Sequence, residues 1–266
     1  LLRMRLPHQF PIIPGWDVAG VVEEVGSGCR RLQAGDEVYA YARKPVVMHG
    51  TYAEFVAVAE KHVALKPVRM SFAEAASVPL AALTAYQSLV DAAALKRGQT
   101  VLIHAAAGGV GGFAVQVARI RGARVIATAS APHHDYVRNL GAQDVIDYTR
   151  EDFVAAVRNR YPEGVEVAFD TVGGEVQSRS AAAVRKGGIL VSLLAFQQEA
   201  NLQAHGIRTR YVFVTPSGTQ LRRLAAWVDR GALRTHLAEQ LPLAEAARAH
   251  ELIESRHTQG KIVLVP

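Results

Sequence analysis

The sequence predicts an α/β protein in two parts, a small β-rich domain followed by a doubly wound parallel sheet. Three observations carry this reading. Before about residue 80, short β-rich runs are punctuated by Gly and Pro; from Thr100 onward, short apolar runs alternate with helix-like stretches; and a Gly-rich loop joins the first such run to the first such helix. Strands with little polar alternation, each followed by a helix, belong to a parallel sheet covered on both faces. Right-handed crossovers make such a sheet doubly wound.

In the first part, residues 18–25, 37–40, 53–58 and 63–65 read as strands, separated by turn chemistry at Gly26-Ser27-Gly28, Gly35-Asp36 and Gly50-Thr51. Ser71-Phe72-Ala73-Glu74 is a capping box that starts a helix. That helix is expected to end or kink at Pro79, with a second over 80–95. The second part then runs strand 100–105, helix 110–121, strand 124–128, helix 136–140, strand 144–147, helix 152–159, strand 165–170, helix 176–184 and strand 189–194, with a sixth strand at 210–214. Helices near 220–229 and 244–254 and a last strand at 261–265 complete the chain. The last strand has no slot in a six-strand sheet and is expected to return to the first domain.

Composition narrows the function. Half of the 266 residues are hydrophobic and a fifth are charged, which excludes a disordered chain. The single cysteine, Cys29, excludes a disulfide scaffold and fits a reducing, cytoplasmic setting. No apolar run approaches the roughly 18 residues that span a bilayer. The net charge of +6 is scattered without a basic cluster, so nucleic acid is not an expected partner. The chain opens on Leu1 rather than Met, and an upstream segment is expected.

The segment His104-Ala105-Ala106-Ala107-Gly108-Gly109-Val110-Gly111-Gly112 carries the chemistry. A Gly-rich loop between strand and helix lets backbone amides approach a pyrophosphate at the helix N-terminus. Two registers fit, Ala106-x-Gly108-x-x-Gly111 and Gly109-x-Gly111-x-x-Ala114. The first places the turn directly after the strand and is preferred; the bland alternative is a small-residue packing turn with no ligand. Where NAD-binding folds place a carboxylate for the ribose hydroxyl, this chain reads Ala127-Thr128-Ala129-Ser130-Ala131-Pro132. That favours NADP(H), with Ser130, His133, His134 or Arg138 facing the 2′-phosphate; a solvated helix start is the plain reading of the two histidines.

The pattern Gly98-Gln99, Leu102, Ala106-Ala107-Gly108-Gly109-Val110-Gly111, Gln116 and Arg119 resembles the quinone oxidoreductases related to zeta-crystallin, zinc-independent members of the medium-chain dehydrogenase/reductase superfamily. Gly15-Trp16-Asp17, Ala19-Gly20, Gly35-Asp36-x-Val38, Gly50-x-Tyr52-Ala53-Glu54, Ala82-Leu83-Thr84-Ala85-Tyr86 and Gly260-Lys261-Ile262-Val263-Leu264 agree. The resemblance runs from about Pro14 to Pro266. It implies a Rossmann sheet inserted in a GroES-like β-rich catalytic domain that is N-terminally incomplete: residues 1–80 for the first part of the catalytic domain, 81–205 for the NADP-binding domain, and 206–266 for the sixth strand and the return to the catalytic domain. Zinc-dependent relatives carry Gly-His-Glu where this chain has Gly15-Trp16-Asp17, and they use four cysteines for structural zinc. An indole cannot ligate zinc and Cys29 stands alone, so no metal is expected.

The resemblance further implies that Thr84, Ala107, Gly108, Gly109 and Val110 line the pyrophosphate and nicotinamide, that Tyr148 lies near the adenosine and Arg256 near the phosphates, and that Leu193 and Phe213 wall the nicotinamide. The lysine that many relatives place after the Ser-like position is missing, leaving His134 or Arg138 to substitute. The implied activity is NADPH-dependent hydride transfer to a quinone or enone, a small electrophilic substrate, by a homodimer joined through the edge strand. An enoyl-thioester reductase and a non-catalytic NADPH- or RNA-binding protein are the rivals. Tyr52, Tyr41 and His49 are the cleft-side polar candidates, each more often structural or merely exposed.

Overall fold

The computed structural model describes residues 6–197, 199–254 and 258–266. The chain forms two compact units, Leu1–Leu83 with Thr215–Pro266, and Thr84–Val214. In the first unit, β1 (His8–Ile13) lies parallel to β4 (Val47–His49), while β2 (Asp17–Val21), β3 (Glu37–Tyr41) and β5 (Val63–Leu65) form an antiparallel sheet in the order β2-β3-β5. Helix α1 (Phe72–Ala76) follows, capped as its sequence requires: the Ser71 hydroxyl accepts the Glu74 N–H, and the Glu74 carboxylate accepts the Ser71 N–H.

As expected, the first helix ends ahead of Pro79, at Ala76, and a second, helix α2 (Pro79–Tyr86), begins with Pro79 as its first residue. Proline suits a first helical position because the amide it lacks would be unpaired there anyway. The next amide, of Leu80, is held by the Asp17 carboxylate at 2.6 Å. The α-helical part stops at Tyr86, and residues Gln87–Ala92 continue as a π-turn.

The second unit alternates as predicted: β6 (Thr100–Ile103), α3 (Gly109–Ile120), β7 (Arg124–Thr128), α4 (His134–Leu140), β8 (Asp144–Ile146), α5 (Phe153–Arg160), β9 (Val165–Asp170), α6 (Gly174–Ala183), β10 (Val184–Ser192), α7 (Glu199–Ala204) and β11 (Arg208–Tyr211). All neighbouring strands are parallel, in the order β11-β10-β9-β6-β7-β8. The chain winds outward from β6 to β8 and then returns to lay β9 on the other side of β6. The strand order therefore reverses between β6 and β9, the switch point where doubly wound sheets open a crevice. Leu102, Ile126, Ile146, Ala168 and Leu190 share one buried cluster, which accounts for the strands' lack of polar alternation.

In the tail, α8 (Gly218–Asp229), β12 (Leu237–Pro242), α9 (Ala246–Glu254) and β13 (Lys261–Val265) belong to the first unit, where β13 pairs in parallel with β12 and packs on α1. Residues 53–58 form no strand; the amides just before them, of Gly50, Thr51 and Tyr52, donate to the carbonyls of Ile13, Gly15 and Pro14. The expected strand 18–25 ends at Val21. Among the described residues no helix is long and apolar enough to cross a membrane.

Replacing Ser71 by Ala removes one half of the capping box and is expected to lower stability by about 1 kcal/mol in chemical unfolding. An unchanged midpoint would mean that the cap is redundant with the packing of α1.

Candidate functional site

Strand β6 ends in a turn whose geometry is set residue by residue. Ala105 sits in the left-handed region at φ 49°, with its N–H donated to the Thr128 hydroxyl at 3.2 Å. Ala106 donates to the Thr128 carbonyl at 3.0 Å, and Gly108 turns back to the Ala105 carbonyl at 3.0 Å. Gly108 then caps α3 with no side chain to offer, and the Gly112 N–H to the Gly108 carbonyl closes the first helical turn. The amides of Gly109, Val110 and Gly111 precede any intrahelical bond and carry the positive end of the helix dipole, so they present an anion site.

Two glycines have separate work. A Cβ on Gly111 would stand 2.2 Å from the Ala105 carbonyl oxygen and 2.7 Å from the Ala106 Cα, so only glycine lets the helix start this close to the strand. A Cβ on Gly108 would meet only the Ala105 oxygen, at 3.3 Å. Gly108 leaves room in front of the helix rather than behind it. The strained turn lies at Ala105, one residue ahead of the Ala106-x-Gly108-x-x-Gly111 register.

Parallel strands end on one edge, and this gathers most of the sequence-predicted residues. Ala107, Gly108, Gly109 and Val110 follow β6; Ser130 and His134 follow β7; Tyr148 follows β8; Leu193 follows β10; Phe213 follows β11. No carboxylate occupies the end of β7 through Pro132. Ser130 is half-buried and precedes a short 3-10 turn, His134 Nε2 lies 3.1 Å from the Ala129 carbonyl, and Arg138 is exposed on α4, 3.3 Å from Asp135. Asp147, at the end of β8, is bound by the Thr149 hydroxyl and amide, which hold its carboxyl below the usual range. Tyr148 beside it is exposed. Leu193 is half-buried, with its N–H on the Asp170 carbonyl, and Phe213 is partly exposed. Thr84 follows none of these strands and is buried on α2. Arg256 lies outside the described residues.

In the first unit, Tyr41 is buried edge-on to Trp16 with ring centroids 6.3 Å apart, and burial pushes its hydroxyl pKa well up. Tyr52 is half-buried with its ring 6.0 Å from the His250 imidazole, and burial raises its pKa too. His49 is exposed at the end of β4. Among the described residues no hydrogen bond joins these three. Nor does any group of three or more His, Cys, Asp or Glu among those residues stand where it could hold a metal ion.

Sequence reasoning missed a buried polar layer beneath this edge. Asp170 is fully buried and its carboxylate accepts the Val172 and Gly173 amides, each at 2.9 Å, and the Ser192 hydroxyl at 2.7 Å. The Gln177 amide adds bonds to Ser192 Oγ and the Leu194 carbonyl. The Thr171 hydroxyl donates to the His104 carbonyl at 3.1 Å, tying the ends of β9 and β6 across the switch point. His104 itself is buried between Thr128, 3.3 Å from Nδ1, and Ser180, 2.9 Å from Nε2, with Phe153 edge-on at 4.8 Å. Burial pushes its pKa down to about 4, with Asp170 opposing part of the shift. The visible signals were a charged residue closing an apolar strand, before Thr171-Val172-Gly173-Gly174, and a histidine between strand and Gly loop.

A 6-5-4-1-2-3 parallel sheet with an anion-ready helix start at its switch point defines a Rossmann-type unit, the architecture on which dinucleotide-binding proteins are built. A family profile described as "Zinc-binding dehydrogenase" matches residues 140–264, and one described as "Alcohol dehydrogenase GroES-like domain" matches 2–68. The chain is 35% identical over 265 residues to the NADPH-dependent alkenal/one oxidoreductase, chloroplastic, of Arabidopsis thaliana, covering 97% of this chain and 64% of that relative. It is 32% identical over 280 residues to the chloroplast envelope quinone oxidoreductase homolog of the same plant, covering 100% of this chain and 83% of the relative. The solved quinone oxidoreductase of Escherichia coli, complexed with NADPH, superposes with a TM-score of 0.88 at 29% identity, covering 98% of this chain and 84% of the other. The chain belongs to the quinone oxidoreductase family of the medium-chain dehydrogenase/reductase superfamily.

Two outcomes follow from the loop. Gly111→Ala is expected to cost about 2–3 kcal/mol in chemical unfolding because backbone must move, and Gly108→Ala less than about 1 kcal/mol; equal costs would refute the division of labour. For His104, the unfolded chain gains a proton near pH 6.5 and the folded chain only near 4. Stability is therefore complete above about pH 6.5 and declines as the pH falls towards 4, by up to about 3 kcal/mol. His104→Gln should flatten that part of the stability–pH curve; an unchanged slope would place the acid sensitivity elsewhere.

Proposed function

We propose that this chain is an NADPH-dependent oxidoreductase acting on α,β-unsaturated carbonyl compounds or quinones. The observation that carries the reading is the anion-ready start of α3 beside a β7 end without a carboxylate. Such an edge accepts a dinucleotide's pyrophosphate without repelling a 2′-phosphate. The names of the alkenal/one oxidoreductase and of the NADPH-bound quinone oxidoreductase support the same cofactor and substrate class. The chain spans 64% of the length of the former.

In this reading the amides of Gly109, Val110 and Gly111 hold the pyrophosphate, with Ala107 and Gly108 leaving it room. Ser130, His134 and Arg138 serve the 2′-phosphate, Tyr148 the adenosine and Arg256 the phosphates. Thr84, Leu193 and Phe213 wall the nicotinamide. Bound NADPH supplies the hydride. The chain's own contribution is orientation and exclusion of water. A substrate already activated by conjugation needs no Lewis acid. Tyr41 and Tyr52, with raised pKa values, keep their protons at neutral pH and are donors rather than bases. Bulk water suffices to protonate the reduced product. The single Cys29 suits a reducing compartment such as the cytoplasm.

A panel of enals, enones, quinones and enoyl thioesters, followed by nicotinamide absorbance, tests this. NADPH should exceed NADH by at least about tenfold in kcat/KM, a difference of about 1.4 kcal/mol. Gly108→Asp, which sets a carboxylate before the helix start, should abolish nucleotide binding. Equal use of NADH would refute the 2′-phosphate assignment, and intact binding by the Asp variant would refute the loop assignment. The exposed edge strand β11 fits a homodimer; a monomeric mass in solution would contradict it.

A further inference from the structure

We infer that Thr128 and His104 are positioning residues for the dinucleotide: their side chains hold the turn at Ala105 that aims the first amides of α3. The inference rests on NADPH binding at that loop. It starts from proton bookkeeping. The Ser180 hydroxyl donates to the Val176 carbonyl at 2.6 Å, so its oxygen can only accept from the imidazole 2.9 Å away. His104 Nε2 therefore carries the hydrogen. A neutral imidazole then has a bare Nδ1, and this nitrogen accepts the Thr128 hydroxyl at 3.3 Å. With its hydrogen committed to the ring, Thr128 Oγ1 offers its lone pairs to the Ala105 amide, 3.2 Å away. Every donor and acceptor in the chain Ala105–Thr128–His104–Ser180–Val176 is used in one direction only. Burial against Phe153, 4.8 Å away and edge-on, fixes the ring plane and keeps the imidazole neutral.

The consequence lies at Ala105. An alanine at φ 49° is held in a conformation that L residues avoid, and something must hold it there. Thr128 grips it twice, by side chain to the Ala105 amide and by carbonyl to the Ala106 amide. The Ala105 carbonyl in turn accepts the Gly108 amide, and it is also the atom against which Gly111 is packed. A rotation of the Ala105 peptide thus moves the helix start on both sides of the phosphate site. His104, itself buried, contributes by fixing which way the Thr128 hydroxyl points.

The two ring nitrogens can be tested separately. Thr128→Val removes the hydroxyl at constant shape, and Thr128→Ser restores it. His104→Asn keeps an acceptor near the Nδ1 position and loses the Ser180 bond; His104→Gln keeps a donor near Nε2 and loses the Thr128 bond. NADPH affinity is read by fluorescence titration and the imidazole tautomer by nitrogen chemical shifts of the free protein. Unfolding midpoints identify any variant that fails to fold. Thr128→Val and His104→Gln should each weaken NADPH binding about tenfold, and the double variant no more than either. Thr128→Ser and His104→Asn should stay within about threefold of wild type, whereas in Thr128→Val and His104→Gln the KM for NADPH should rise without a fall in kcat. The Nε2–H tautomer is expected. An Nδ1–H tautomer, additive losses, or a folded Thr128→Val that binds NADPH like wild type would overturn the inference alone. A wild type that binds no NADPH would overturn the functional reading and this inference with it.

Discussion

The nucleotide edge depends on how closely α3 begins behind β6. At Gly111 the helix comes so near the Ala105 carbonyl that no side chain fits between them, and Ala105 takes a left-handed conformation to make the turn. This local strain has a return. It aligns three amides that precede any intrahelical bond along the helix axis at the point where the sheet order reverses, so the positive end of the helix meets the crevice rather than solvent. A longer loop would relax Ala105 and lose that alignment. Because the six strands are parallel, the same edge also collects the ends of β7, β8, β10 and β11, and the remaining candidate contacts come without further design.

The second unit was largely legible in the sequence because buried parallel strands leave a plain signature. Residues 124–128 and 165–170 are runs with hardly an interior polar position, and their neighbours differ from expectation by only a few residues. The first unit was harder to read. β1 contains Pro11, β12 ends in Pro242 and β4 is three residues long, so none resembles a strand in isolation. Residues 53–58 fail the other way, since their strand-like composition finds no strand partner among the described residues. The break at Pro79 is local and could be read, whereas the Asp17 carboxylate that holds the Leu80 amide from 63 residues away could not.

The site divides along the same line. Gly108, Gly111 and the carboxylate-free end of β7 are local facts and could be read directly. The layer beneath them could not. His104 meets Thr128 and Ser180 across separations of 24 and 76 residues, and Asp170 meets Ser192 across 22. Those meetings exist only once the sheet order is known. Spacing along the chain carries no trace of it.

The placement of this layer explains why it tolerates burial. Thr128 is the last residue of β7, Asp170 of β9 and Ser192 of β10, and His104 stands one residue beyond β6. Ser192 is register-paired with Asp170, and Ile103, just before His104, is paired with Ala127 and Phe169, so the four residues form a row across the sheet. Below the row the interior is apolar; above it the chain turns into loops. A buried polar group without a partner would be costly there, whereas each of these finds one on a neighbouring strand end or the helix behind it. The row therefore fixes the loops to one another before any ligand arrives: Thr171 to His104, Val172 and Gly173 to Asp170, Ala105 to Thr128. A binding edge made of loops acquires rigidity from the ends of the strands beneath it, and little ordering is left to oppose binding.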